Sequence, residues 1–282
     1  MELTKYILKE IDKQVQLKHK EEPKRKHLGA SLIGQPCARQ IWYGFRWAAE
    51  ERHSGRLLRL FNRGHLEEAR FIEFLRSVGI FVSDVDKNGK QFRIEGVNGH
   101  LGGSCDGVCF IPANFPGLPP NWDYNTPVLN EFKTHGDKSF KELEKKGMAE
   151  AKPQHKAQID TYGFKMGIHY YLYMAVNKNT DDLYLEFGSV DMANGEAMCN
   201  LAEHIINSPS PPNRQFAKGH IQCKWCSYNK ICHYDQSMEL NCRSCANAQP
   251  IENKQWYCHY NRLTIPEEVI PNGCSVWTPA DV

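Results

Sequence analysis

The chain has 282 residues, of which 41% are hydrophobic and 24% charged, and its formal net charge at pH 7 is +2. This length fits one α/β domain with a small appendage. No stretch approaches the ~20 apolar residues that span a membrane, and the amino terminus lacks the apolar core of a secretion signal. These features argue against membrane-spanning and exported proteins, so we expect a cytoplasmic protein in a reducing compartment.

The first predicted segment, residues 1–29, is a charged helix with a basic end. Residues 18–26 (KHKEEPKRK) are basic with acidic interruptions, and residues 138–156 hold six lysines. Basic stretches of this kind suit a phosphate backbone. The alternative is a lysine-rich face that is simply solvated.

A second helix is predicted over residues 59–78, because its apolar residues recur at helical spacing along one face. These residues are Leu60, Phe61, Leu66, Phe71, Phe74 and Leu75. Within this helix Gly64 begins a Gly-His-Leu-Glu-Glu run, which places His65 next to it and Glu68 one turn further on.

Two strands are predicted next, over residues 100–110 and 128–133 (VLNEFK). Side chains of a strand alternate between its faces, so Glu131 and Lys133 would share one side while Phe132 packs on the other. If the strands pair as a hairpin, these two residues meet Asp106. Carboxylate oxygens bind divalent cations such as Mg²⁺, and a nearby lysine can orient or deprotonate the attacking water. The alternative is charge alternation on a solvated strand face.

Residues 112–127 form an irregular insert between these strands and contain five prolines, Trp122 and Tyr124. Its tip is predicted either to lie over the site, where aromatic rings stack on unpaired bases, or to pack as a surface loop.

A third helix is predicted to begin at Pro153, since proline suits the first helical position. Gln154, Gln158 and Tyr162 would share one face of it at i, i+4 and i+8, and core packing is the alternative role for Tyr162. Strand patterns follow over residues 169–176 and 183–187. This order of elements predicts an α/β fold with a mixed central β-sheet flanked by helices.

Over roughly residues 30–234 the sequence resembles the PD-(D/E)XK nuclease superfamily, specifically its RecB-like branch, which includes CRISPR-associated exonucleases. Asp106 matches the motif aspartate and Glu131-Phe132-Lys133 the (D/E)-x-K element. Gln158 and Tyr162 match the Gln-x-x-x-Tyr motif of that branch.

Two further positions bear on this resemblance. Residues 64–68 resemble the first-helix Gly-x-x-x-Glu element, in which His65 and Glu68 compete to assist the metal. Cys105 stands where the superfamily usually has proline.

The resemblance implies a restriction-endonuclease-like core and a DNA exonuclease that depends on Mg²⁺ or Mn²⁺. Its catalytic residues would be Asp106, Glu131, Lys133, Gln158 and Tyr162. The metal ligands would be Asp106, Glu131, the Phe132 carbonyl, and Glu68 or His65. The setting would be recombination, repair, CRISPR-associated or phage DNA processing.

Eleven cysteines are present, and in a reducing compartment this density favours metal sites over disulfides. Cys223, Cys226 and Cys232 form one set, which leaves a metal centre one ligand short. The resemblance implies that Cys37 supplies the fourth thiolate of a [4Fe–4S] cluster. The alternative is that Cys37 is a buried small apolar residue.

A second set of cysteines lies in residues 237–282: Cys242, Cys245, Cys258 and Cys274. Four thiolates with one close pair suit a structural Zn²⁺, and His259 is a possible substitute ligand. About forty residues bury little core by themselves, so the alternative is a loosely ordered reduced tail. Cys105, Cys109 and Cys199 are predicted to be packed.

The sequence therefore predicts a basic helical segment (1–29), a nuclease domain closed by an iron–sulfur cluster (30–236), and a small cysteine-rich metal-binding appendage (237–282). The expected partner is DNA. The sequence has no Gly-rich phosphate loop or helicase motif, so a helicase or a recombination or CRISPR partner would be another chain. Alternatives are a non-catalytic nucleic-acid-binding or assembly protein and an endonuclease.

Overall fold

The structure is a computed structural model, and it describes residues 2–50 and 52–281. Its helices are α1 (Leu3–Glu21), α2 (Ala30–Ile33), α3 (Ala38–Phe45), α4 (Gly55–Ser77), α5 (Asp137–Lys146), α6 (Met148–Ala151), α7 (Pro153–Met166), α8 (Met192–Asn207), α9 (Ile221–Lys224) and α10 (Asn229–His233). Its strands are β1 (Leu28–Gly29), β2 (Phe81–Ser83), β3 (Arg93–Gly96), β4 (Leu101–Ser104), β5 (Gly107–Phe110), β6 (Val128–His135), β7 (Tyr170–Asn177), β8 (Leu183–Ser189), β9 (Ala248–Pro250), β10 (Trp256–Cys258) and β11 (Leu263–Ile265).

The central sheet has the strand order β2-β5-β6-β7-β8, with β6 and β7 parallel and the other neighbours antiparallel. Helix α4 covers one face, where the rings of Phe71 and Phe132 lie 5.2 Å apart. Helix α7 covers the other face, where Leu129 and Ile159 share a core cluster. The predicted α/β fold with a mixed sheet flanked by helices is confirmed.

The helices and strands around this sheet begin close to their predicted positions. Helix α4 starts four residues early, at Gly55, because the Ser54 hydroxyl accepts a hydrogen bond from the Leu57 N–H at 3.2 Å and caps the first turn. Helix α7 begins at Pro153 as predicted. Strands β7 and β8 confirm the two strands predicted after it.

The prediction of a single strand over residues 100–110 is wrong. The segment forms two strands, β4 and β5, which belong to different sheets, and Asp106 lies between them. Strand β4 pairs with β1 and β3 in a separate sheet, whereas β5 pairs with β2 and β6. Gly107 makes the change possible: its φ is +154°, and a Cβ there would lie 2.9 Å from the Ser83 carbonyl oxygen. The predicted hairpin is confirmed, and its two strands are β5 and β6.

The insert over residues 112–127 packs as a surface loop. Strand β5 begins directly after Asp106 and pairs antiparallel with β6, so the insert connects the hairpin at the end remote from Asp106. The Trp122 ring lies 5.1 Å from Tyr170 and 5.7 Å from Phe187. The prediction that its tip lies over the site is wrong.

The cysteine-rich tail forms the sheet β11-β10-β9 and packs on α3. Trp256 is 1% exposed, with its ring 5.5 Å from Phe45 and 5.2 Å from the Arg46 guanidinium. The tail obtains its core by sharing that of α3, so it is not loosely ordered. The predicted division at residues 29 and 236 stays a prediction.

Within the described residues, none of the helices combines the length and the hydropathy that crossing a bilayer requires.

Candidate active site

The break between β4 and β5 brings Asp106 against β6. The Asp106 Oδ2 accepts a hydrogen bond from the Phe132 N–H at 2.7 Å. The Lys133 Nζ is 4.0 Å from the same oxygen and is ion-paired with Glu131. Glu131 is 0% exposed, so these charges do not lie on a solvated strand face. The structure thus brings the two predicted carboxylates and the lysine together.

The alternation of β6 explains why these side chains converge. Phe132 points into the α4 core, and its carbonyl oxygen accepts a hydrogen bond from the Lys133 Nζ at 3.1 Å. Glu131 and Lys133 lie on the α7 face of the same strand. The sequence pattern is sufficient for this part of the site.

Helix α7 contributes one contact to the carboxylates and one to the scaffold at β4. The Gln158 Nε2 donates to the Glu131 Oε2 at 3.1 Å. The Tyr162 hydroxyl donates to the Ser104 carbonyl at 2.8 Å. Gly103 leaves room for this hydroxyl, since a Cβ at residue 103 would lie 2.6 Å from the Tyr162 hydroxyl oxygen. Tyr162 is therefore buried support for β4, the role given as its alternative, and its catalytic role stays a prediction, while Gln158 touches the site.

Helix α4 presents Glu68 to the site more directly than His65. The His65 side chain is 77% exposed and that of Glu68 is 35% exposed. The His65 Nδ1 and the Glu68 Oε1 are 3.1 Å apart. Burial and the nearby charge of Asp106 raise the pKa of Glu68. Glu68 therefore belongs to the carboxylate group, and His65 contacts that group through Glu68.

The charges of the site fit a bound divalent cation. Burial raises the pKa of Glu131, and Asp106 and Glu68 raise it further against the opposing charge of Lys133. Burial alone would lower the pKa of Lys133, but the carboxylates outweigh it and the pKa lies above its ordinary value. Three carboxylates with one ammonium leave excess negative charge and oxygen donors, which hard cations prefer.

A cleft of about 900 Å³ between α1 and α4 reaches this group at Glu68 and Lys133, which are among its lining residues. Helix α1 is held there by the ion pair of Asp12 with Arg59 and by a 2.8 Å hydrogen bond from Gln16 Nε2 to the His53 carbonyl. The cationic lining residues are Lys18, Arg25, Arg59, Lys133 and Lys178, and Glu22 and Glu68 are acidic. Half of the Phe61 side chain is exposed at the wall.

Sequence reasoning missed Arg59, Phe61 and Lys178 as cleft residues. No sequence signal marks them, because they come from α4 and from the turn after β7 and meet only in the folded chain. By contrast, the lysines of residues 138–156 are absent from the described cleft lining. Lys138, Lys141, Lys145 and Lys146 are exposed and form a solvated face, on which Lys141 pairs with Asp137 at 2.9 Å. Lys152 and Lys156 are partly buried, and Lys156 pairs with the buried Asp160.

The first cysteine set converges from three parts of the chain. Burial raises the pKa of Cys226, and the charges of Cys37, Cys223 and Cys232 raise it further, because these thiols lie close to it. Cys37 precedes α3 and is half-buried, so it is not a core residue. The sequence did not indicate His233, whose Nε2 lies 3.5 Å from the Cys223 Sγ.

The second set converges within the tail. Burial raises the pKa of Cys242 to about 11, and the charges of Cys274, Cys245 and Cys258 add to the shift. The Asn261 N–H donates to the Cys258 Sγ at 3.4 Å. The structure directs His259 elsewhere: its Nε2 lies 2.8 Å from the Gln249 Oε1.

All eight of these cysteines are free thiols, which leaves them available to a metal. In the part of the chain that the structure describes, however, no group of three or more His, Cys, Asp or Glu side chains is arranged as a finished metal site. The divalent-cation, iron–sulfur and zinc sites therefore all stay predictions, and the proximity of the thiols supports the last two.

Neither a protein-family model nor a curated protein sequence matches the chain. Among crystal structures, it is similar to SSO0001 at 16% identity, with a TM-score of 0.46 over 82% of this chain and 98% of that chain. It is also similar to an alkaline exonuclease, LHK-Exo from Laribacter hongkongensis, at 13% identity, with a TM-score of 0.43 over 64% of this chain and 87% of that chain. The complex of LHK-Exo with dAMP matches at the same identity and TM-score, over 64% of this chain and 86% of that chain. Similarity at this level carries no assignment of function.

Proposed function

We propose that the chain is a metal-dependent DNA nuclease that hydrolyses phosphodiester bonds, as an exonuclease. The observation that carries this proposal is the meeting of Asp106, Glu131, Lys133 and Gln158 beside a cleft that Lys133 and Glu68 line together with further cationic residues. Cationic side chains along a cleft attract the phosphate backbone, and the carboxylates lie where that backbone would pass.

The roles of the residues follow from their contacts. Asp106, Glu131, Glu68 and the Phe132 carbonyl would hold Mg²⁺ or Mn²⁺, which polarises a phosphate and lowers the pKa of a bound water. Lys133 lies among the carboxylates and can donate to the attacking water or to a non-bridging phosphate oxygen. Gln158 fixes the orientation of the Glu131 carboxylate through its 3.1 Å hydrogen bond.

The second candidate is a non-catalytic nucleic-acid-binding or assembly protein, which would also use the cationic cleft. A binding protein gains nothing from Glu131, a completely buried carboxylate whose desolvation costs several kcal/mol. That cost is understandable if the carboxylate holds a cation during hydrolysis, and we therefore favour the nuclease.

Degradation of labelled DNA separates these candidates. With Mg²⁺ or Mn²⁺ we expect mononucleotides or short products from end-labelled linear DNA, no cleavage of covalently closed circles, and no products in EDTA. Cleavage of circles would instead identify an endonuclease. Binding of linear DNA without products under every metal condition would identify the non-catalytic protein.

Replacing Gln158 by alanine should lower turnover roughly 10- to 100-fold, the usual effect of removing the partner that orients a metal ligand. The control is Gln154→Ala, one turn earlier on the same helical face, where the Nε2 donates to the Ser31 carbonyl at 2.8 Å. Single-turnover cleavage and thermal unfolding should be measured on both variants. Unchanged turnover of folded Gln158→Ala protein, together with a large loss of melting temperature, would assign Gln158 to packing.

We further propose that the tail thiols bind Zn²⁺ and that the set containing Cys37 binds a [4Fe–4S] cluster. Replacing Cys274, the most exposed tail thiol, by serine should release the zinc and leave the iron content unchanged. His259→Gln should retain the zinc, because His259 faces Gln249. Elemental analysis of anaerobic preparations of both variants measures their zinc and iron contents. Zinc retained in Cys274→Ser and lost from His259→Gln would contradict this ligand set.

The recombination, repair, CRISPR-associated or phage setting and a helicase or other partner chain stay predictions, as does a cytoplasmic location.

A further inference from the structure

We infer that the cysteine-rich tail is part of the nucleic-acid-binding apparatus: Arg243 and Trp47 hold the backbone at Arg25 and Lys26 and thereby fix the cationic rim of the cleft. The inference rests on the proposed function, since it assigns the rim to contacts with a nucleic-acid phosphate backbone.

Arg243, the residue after Cys242, is an unusual buried cation. It is 1% exposed, and its guanidinium lies 4.4 Å, 4.6 Å and 5.0 Å from the ring centres of Trp47, Phe45 and Trp256. Among the described residues it forms no ion pair. Its Nη1 donates to the carbonyl oxygens of Lys26 at 3.2 Å and Arg25 at 3.4 Å.

This arrangement directs the hydrogen bonds of the Arg243 side chain to two backbone carbonyls, those of Arg25 and Lys26. A buried guanidinium without a carboxylate is costly unless aromatic faces and carbonyl oxygens compensate it. The three rings surround the guanidinium, and the carbonyls of Arg25 and Lys26 accept hydrogen bonds from its Nη1, whereas Nε and Nη2 donate to no described group. Movement of those carbonyls would leave a buried charge unsatisfied, so the tail restrains them.

A second set of contacts acts on the same backbone. The Trp47 Nε1–H donates to the Arg25 carbonyl at 3.0 Å, and the tail residue Asn241 donates from Nδ2 to the Trp47 carbonyl at 3.0 Å. The Lys26 ammonium is also ion-paired with Glu267 of the tail. The Arg25 carbonyl therefore receives one donor from the tail and another from a residue that the tail holds.

The restrained segment matters because it connects α1 to β1. Residues 23–26 form neither helix nor strand, and none of the residues of α1 is buried. Helix α1 therefore depends on its attachments to α4 and to this segment for its position. Release of the segment would displace Arg25 and, through α1, Lys18, two of the cations that line the cleft.

The test measures DNA affinity in the full-length protein with its metals. Asp106→Asn is the common background, so that the DNA is not cleaved. In it, Arg25→Gln removes a rim charge directly, whereas Trp47→Phe and Arg243→Lys weaken the contacts that position the rim. The control is Arg262→Lys, at an exposed arginine of the tail. Dissociation constants for a labelled duplex are measured over a range of salt concentrations.

Arg25→Gln should weaken binding roughly fivefold at 0.15 M salt and reduce the slope of log K against log[salt] by about 0.9, the value for one phosphate contact. Trp47→Phe and Arg243→Lys should weaken binding and lower the slope in the same direction, and each should add little to Arg25→Gln. Arg262→Lys should match the background. A merely structural role would lower stability without changing the salt slope.

The outcomes separate the inference from the proposed function. If Arg25→Gln has the background slope, the cleft rim does not contact phosphates, and both the proposed nucleic-acid path and the inference fail. If Arg25→Gln lowers the slope but folded Trp47→Phe and Arg243→Lys do not, the inference fails and the nuclease proposal stands. Should Arg243→Lys not fold, Trp47→Phe decides, since phenylalanine keeps an aromatic ring next to Arg243 and removes the indole N–H together with the five-membered ring.

Discussion

Replacing Asp106 by asparagine is expected to abolish DNA cleavage and to leave the fold and DNA binding intact. Asparagine retains an oxygen that accepts the Phe132 N–H, a 2.7 Å contact in the structure, but it lacks the charge that holds a cation. A loss of about 4 kcal/mol of transition-state stabilisation lowers the rate roughly 10³-fold. The reduced rate can be measured as single-turnover cleavage at saturating Mg²⁺ or Mn²⁺.

The control for this variant is Asp123→Asn, at an exposed aspartate of the 112–127 loop, remote from the site. It should cleave at the wild-type rate. Wild-type turnover of Asp106→Asn at saturating metal would refute the assignment of the catalytic group.

Variants of the buried ion pair of Glu131 and Lys133 test the same site through both activity and stability. Lys133→Met should abolish cleavage and also destabilise the protein by about 3–5 kcal/mol, because Glu131 is left as an uncompensated buried charge. The double variant Glu131→Gln, Lys133→Met should recover most of this stability and none of the activity, which denaturant unfolding and cleavage assays would show together. Recovery of activity in the double variant would mean that neither residue is catalytic.

Loss of the proposed iron–sulfur cluster should have a large effect on the colour, the iron content and the stability of the protein. Protein purified without oxygen is expected to be brown, and replacing Cys226 by serine should remove the colour and the iron. The set joins segments before and after the central sheet, so its loss also removes a crosslink. If a quarter of the ~12 kcal/mol typical of a structural metal were lost, the melting temperature would fall by roughly 6–12 °C.

Cys199→Ser is the matched control for the cluster, since Cys199 lies on α8 outside both sets. Its iron content and absorbance should equal those of the wild type. Anaerobic wild-type protein with no iron and about two zinc ions per chain would show that both thiol sets bind zinc and that the cluster assignment is wrong.

Local periodicity made several parts of the site predictable. The alternation of β6 places Glu131 and Lys133 together because successive strand residues face opposite ways. The helical spacing of Gln154 and Gln158 likewise puts both amides on one face of α7. Such patterns depend on neighbours in sequence, so the residues alone determine them.

The position of Asp106 had to wait for the tertiary structure. A run of small residues from 100 to 110 has the pattern of one strand, yet the pairing of β4 with β1 and β3 competes with that of β5. The positive φ of Gly107 resolves the competition. Which partner a strand finds depends on contacts distant in sequence, and periodicity carries no information about them.

The cleft and the docking of the tail also depend on distant contacts. Nothing in the pattern of residues 18–26 indicates that the carbonyls of Arg25 and Lys26 receive a guanidinium from Arg243, more than two hundred residues later. The sequence determined which side chains can carry charge and which cysteines are spaced to share a metal. Tertiary packing decided which of them meet, because burial and hydrogen bonding between remote segments select one arrangement of the chain.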